Sequence, residues 1–147
     1  MTSQRARFFI RLAIGLFFVA AASSKIADPS RFLTALLAYA LPLPDFFLRL
    51  TAIALPWLEL FCGALLLANV WPEVARRWIL LLTLVFIVIT AQAMMRGLNI
   101  SCGCIALDVF GLNALSEFLE RPTVAFARNI AILAGAVYIK IDTHDHA

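Results

Sequence analysis

Cys102, Gly103 and Cys104 set two of the three cysteines in this 147-residue chain one residue apart. Thiols at that spacing support two kinds of chemistry. In disulfide exchange, a thiolate attacks a disulfide and a second thiol resolves the mixed disulfide. Alternatively, paired thiolates hold a soft ion such as Cu(I). Gly103 gives the backbone the freedom that a bridge across one residue needs, and strain in so small a ring makes the bridge easier to reduce. A structural staple is the weaker reading, because a loop this short restrains almost no chain entropy. Lys25 and Arg96 are the cations offered for activating either thiol. Which cysteine attacks stays open.

Glu59 is the second candidate. It lies about 12 residues, or ~18 Å of helix axis, into an apolar run, where a carboxylate must be protonated, paired or turned toward a polar cavity. Lys25 is the most attractive partner, although it sits nearer the end of its own run, and Pro56 could kink the second run to bring the two closer. Arg128 competes for the same role, and Asn129 and Gln92 are further polar positions in apolar segments. Two readings stand level: a proton or quinone-headgroup site beneath the cysteine loop, or a buried pair that fixes helix register. Cys62, one turn beyond Glu59, reads as a small packing residue. His144 and His146 read as part of a solvated tail. They are expected on the face opposite the cysteine pair, so no shared metal site is predicted and no metal ligands are assigned.

The elements that must position these residues are helices in a membrane. Hydrophobic residues make up 63% of the chain and charged ones 14%, with a mean hydropathy of +0.94. Soluble domains are less apolar and more charged. Four spans are expected at about 8–27, 47–70, 78–95 and 123–141, each near the ~20 residues that cross a bilayer, within one domain covering 1–147. The first is not read as a cleaved signal peptide, since Arg11, Lys25 and Asp28 fall in the wrong places. Asp28 followed by Pro29 predicts a capped helix start, and Phe32, Leu36, Leu37 and Tyr39 an apolar stripe on a short interfacial helix that Pro42 and Pro44 end. A tight turn is expected at 71–77. The connection at 96–122 is the long one and holds the cysteine pair, followed by an acidic amphipathic stretch at 113–120.

The net charge of +3 requires no nucleic-acid partner; Lys and Arg flanking spans are the usual cytoplasmic bias. Arg5, Arg7, Arg76, Arg77 and Lys140 are dense on the side holding both termini. Lys25, Arg31, Arg49, Arg96 and Arg121 are spread over longer loops opposite. The termini are therefore expected in the cytoplasm of a bacterial-type inner membrane, and the cysteine loop in the periplasm, where disulfides persist.

Three motifs in order carry a family resemblance: Ser24-Lys25-Ile26-Ala27-Asp28-Pro29 after a Gly- and Phe-rich span, Leu55-Pro56-Trp57-Leu58-Glu59-Leu60, and Cys102-Gly103-Cys104. Together they resemble the MauE group of methylamine-utilisation membrane proteins, within the wider DoxX-like set, over nearly the whole chain. The resemblance implies a four-helix membrane bundle and a redox-associated role in disulfide formation or thiol transfer, alongside an exported thioredoxin-like partner or cysteine-containing client. Many relatives continue the cysteine pair with Phe-Gly, whereas this chain has Ile105-Ala106; the methylamine substrate is not carried over. The expectation is thus an all-α membrane protein acting as a thiol–disulfide relay through Cys102 and Cys104, with Gly103, Lys25, Glu59, Arg96 and Asp28 in support. A membrane quinone is a candidate cofactor without a motif to mark it. A non-catalytic membrane chaperone or assembly subunit and a Cu(I)-handling membrane protein are the alternatives. The client, the direction of electron flow and the oligomeric state are left open.

Overall fold

A computed structural model describes residues 2–97, 118 and 121–144. The described residues form helices α1 (Thr2–Ala27), α2 (Pro29–Ala38), α3 (Asp45–Ala68), α4 (Pro72–Met95) and α5 (Pro122–His144). Four of these, α1, α3, α4 and α5, are long and apolar enough to cross a membrane. Most of each spanning segment faces outward, and the exposed side chains include Phe9, Phe46, Phe61 and Val88. So much apolar surface would be a liability in water. Against lipid tails it is the ordinary solvent-facing side.

Without a hydrophobic drive between helices, packing in lipid depends on close backbone approach. Small residues supply it here. Gly15 of α1 faces Gly63 of α3, and a Cβ added at Gly63 would lie 3.0 Å from the Gly15 carbonyl oxygen, 3.0 Å from Val19 Cγ2 and 3.1 Å from Phe18 Cβ. Around this crossing, Ile14, Phe18, Cys62, Leu66, Ile79, Leu82, Ile132 and Ala136 form one core drawn from all four long helices. Residue numbers rise on α1 as they fall on α3: Arg11 bonds Asn69, Gly15 meets Gly63, and Lys25 meets Glu59. The two helices are antiparallel.

The connections follow from local chemistry. Asp28 caps α2, its Oδ1 accepting from the Arg31 backbone N–H at 3.0 Å and from the Ser30 hydroxyl at 2.6 Å. These donors hold the Asp28 carboxyl below its usual range. Phe32 and Leu36 of α2 are buried against Ala52 of α3, so the predicted short helix forms and covers the Lys25 end of the bundle. The turn after α3 is shorter than the 71–77 expected. Asn69 closes α3 at φ 57°, and the Val70 N–H reaches the Leu65 carbonyl at 3.1 Å. Helix α4 then begins at Pro72 rather than near Trp78. Pro at the first helical position wants no N–H partner, Glu73 suits the positive end of the helix dipole, and Arg76 donates to Glu73 at 2.5 Å one turn on. Polar residues that read as loop are a helix's first turn.

Candidate functional site

Inside the bundle, toward the end that α2 covers, α1 and α3 share a buried ion pair. Lys25 Nζ donates to both oxygens of Glu59, at 2.8 and 2.6 Å, and the two residues are each 2% exposed. Their meeting follows from helix geometry. From the Gly15–Gly63 crossing, Lys25 lies ten residues along α1 and Glu59 four residues back along α3, a mismatch of six residues or ~9 Å of axis. Side chains on a helix tilt toward its N-terminus. In antiparallel helices that tilt sends Lys25 inward and Glu59 toward the end that α2 covers, which closes the gap.

Aromatic faces line the pair. The Lys25 ammonium lies 5.1 Å from the ring centroid of Phe32 and 5.1 Å from that of Phe86, a placement the ring quadrupoles favour. Phe32 belongs to α2, so the short helix supplies part of the ammonium's cage. The Arg128 guanidinium sits 4.9 Å over Phe17 in the same region. Tyr39, at the end of α2, meets Thr90 of α4, and burial pushes its phenol up from the ordinary value.

A cavity of about 20 Å³ adjoins the pair, lined by Lys25, Glu59, Thr83, Phe86, Arg128 and Asn129 among others. Thr83 Oγ1 and Asn129 Nδ2 are buried there without a hydrogen-bond partner among the described residues. That volume suffices for one water, which needs two to four polar partners. Thr83, Asn129 and the Glu59 carboxylate would supply them. The cavity thus sets the Glu59 carboxylate and the Lys25 amine beside two further polar side chains, Thr83 and Asn129.

A family model described as Methylamine utilisation protein MauE matches residues 3–141. The chain belongs to the MauE family. No curated protein and no solved structure matches it. With its four apolar helices, this MauE-family chain is a multi-pass membrane protein.

The residues singled out in the MauE-family sequence fall into three groups. Lys25 and Glu59 come together as an ion pair, and Arg128 lines the same cavity. Asp28 and Arg96 sit apart from the pair. Asp28 caps α2, and Arg96 ends α4, reaching the Ala40 carbonyl at 3.3 Å and so tying α4 to the connection after α2. Cys102, Gly103 and Cys104 lie outside the described residues, as does the stretch at 113–120 apart from Phe118. Cys62 is a buried free cysteine packed in the core. The sequence reading missed Thr83 and the aromatic walls Phe32 and Phe86. A hydroxyl in an apolar helix is a usable signal for the first, whereas nothing local separates a cage phenylalanine from a core one.

Proposed function

We propose that this protein is a membrane thiol–disulfide relay in which Cys102 and Cys104 exchange a disulfide with an exported thioredoxin-like protein or a cysteine-bearing client. The exchange balances within itself. The client's two thiols close to a disulfide, the Cys102–Cys104 bridge opens to two thiols, and two protons follow the two electrons. Running backward, the same steps reduce the client.

The observation that carries the reading is a buried amine–carboxylate pair toward the end of the bundle from which the cysteine segment departs. Helix α4 ends at Arg96, tied to Ala40 beside α2, and α5 begins at Pro122, with Ala125 packed on Ala21 one turn before Lys25. Both helices that flank the segment bearing the cysteines therefore have their adjoining ends at the end of the bundle that α2 covers, the end nearer Lys25. Thiol exchange needs a thiolate, and a nearby amine–carboxylate pair is a suitable acceptor and donor for the proton involved. An outward-facing loop in a bacterial-type inner membrane would give the pair an oxidising compartment. The family's printed description adds methylamine utilisation as the setting in which a client would be sought.

The experiment is to follow the thiol state of exported cysteine proteins in cells carrying the Cys102→Ser, Cys104→Ser double variant. The relay predicts that at least one such protein changes from its wild-type redox state while the variant still accumulates in the membrane. Unchanged redox states throughout would contradict it.

A further inference from the structure

At the opposite end of the bundle lies a second, larger cleft that the relay does not use. It has a volume of about 370 Å³ and is lined by Arg7, Arg11 and Arg76, with Phe8, Asn69 and Glu73 among its other walls. We propose that this cleft is a binding site for the phosphate-bearing headgroup of an anionic lipid.

Arg76 makes the strongest case. Its side chain is 5% exposed, and one guanidinium nitrogen, Nη2, pairs with Glu73 at 2.5 Å. Its Nε is buried with no hydrogen-bond partner among the described residues. A guanidinium presents five donors in a planar fork suited to phosphate oxygens, and leaving a buried charged donor unmet is costly. Arg11 adds a second reason. It reaches across from α1 to the side chain of Asn69 and stacks over the Phe8 ring at 5.8 Å. Both contacts position the guanidinium, and neither neutralises it. Among the described residues, the lining holds three cationic side chains and one anionic one.

Size and location point to a lipid. The cleft falls within the range of small-ligand sites and far exceeds the share of a water molecule. It lies where the N-terminal turns of α1, the α3–α4 turn and the far part of α5 converge. Phe8 and Phe9 beside it are 52% and 64% exposed, and Trp71 in the adjoining turn is 73% exposed. Aromatic residues at this level mark the membrane interface, where acyl chains run alongside. Basic clefts between spanning helices are suited to anionic headgroups.

The test uses the full chain in phosphatidylcholine nanodiscs with and without phosphatidylglycerol, with lipid retention read by native mass spectrometry. Phosphatidylglycerol should be retained in preference to phosphatidylcholine. Arg11→Gln should cut that retention about tenfold, the loss of one charge-assisted contact. Arg76→Gln should do the same if it folds, and Arg11→Gln, at a half-exposed position, stands in if it does not. Arg5→Gln removes the same charge from an exposed position on the same helix outside the cleft, and should leave retention nearly unchanged. Equal losses from Arg5→Gln and Arg11→Gln, or equal retention of the two lipids, would reduce the effect to general surface attraction and overturn the proposal. Displacement of phosphatidylglycerol by inorganic phosphate would assign the cleft to a soluble phosphate and overturn the lipid as its occupant.

Discussion

Removing one partner of the Lys25–Glu59 pair leaves a charge in the bundle without its counterpart, whereas removing both takes out opposite charges together and leaves Arg128, Thr83 and Asn129 as polar groups of the cavity. Breaking a buried pair from one side costs about 3–5 kcal/mol, while replacing both members by apolar residues of similar volume is often neutral or stabilising. Lys25→Met and Glu59→Leu should each lower the unfolding temperature in detergent, and the double variant should recover most of the loss. The double variant also separates two roles. If it folds and no longer supports the redox state of exported proteins, the pair handles protons; if it folds and supports it, the pair sets helix register. Asp28 gives a prediction with a definite pH sign. Its carboxyl is held low by the Ser30 hydroxyl and the Arg31 N–H, so its contribution to α2 is fully present above the ordinary carboxylate range. It is lost as pH falls through the depressed value. The protection of the Arg31 amide against exchange, taken relative to its intrinsic rate at each pH, should fall below that point, and in Asp28→Ala it should be low at every pH. Both residues were visible in the sequence, Asp28 by its cap chemistry and Lys25 by its rarity in an apolar run. The pairing itself was not, because which side chains meet depends on interhelical register.

Register belongs to the elements, and the Gly15–Gly63 crossing sets it. An added methyl at Gly63 meets a backbone carbonyl and the inflexible stems of Val19 and Phe18, while one at Gly15 chiefly meets the far end of Leu67 at 2.7 Å. Overpacking costs about 1–3 kcal/mol where nothing can yield. Gly63→Ala should therefore destabilise the bundle by that order in a detergent unfolding titration. Gly15→Ala should cost less, and pairing it with Leu67→Ala should recover part of the difference. The crossing also links stability to the site, since a shift of α1 on α3 moves Lys25 relative to Glu59. Helix existence was legible from apolar runs, and α2 from Asp28-Pro29 and its stripe. The start of α4 was not, because Pro72, Glu73, Arg76 and Arg77 are as much the composition of a loop as of a first turn with its own ion pair. The glycine contact was equally hidden, since a lone glycine in an apolar helix carries no mark of which helix it faces.

On the scale of the whole molecule, the bundle separates two chemistries along its length. One end holds the Lys25–Glu59 pair, roofed by α2 and flanked by both junctions of the cysteine segment. The other gathers arginines around a cleft. In the sequence, Arg7 and Arg76 serve as indicators of orientation and Arg11 as a mark against a cleaved signal peptide, because a charge count along the chain does not show that they converge. The relay's most direct consequence concerns Cys102 and Cys104: the attacking cysteine, left without the other, should capture a partner that the pair normally releases. The measurement is a diagonal, non-reducing then reducing, separation of acid-quenched membranes from cells carrying Cys102→Ser, Cys104→Ser or both. The account predicts that one single-serine variant accumulates a mixed disulfide with an exported cysteine protein, and that the double variant accumulates none. Absence of any such adduct in both single variants, with exported proteins in their normal redox state, would contradict it.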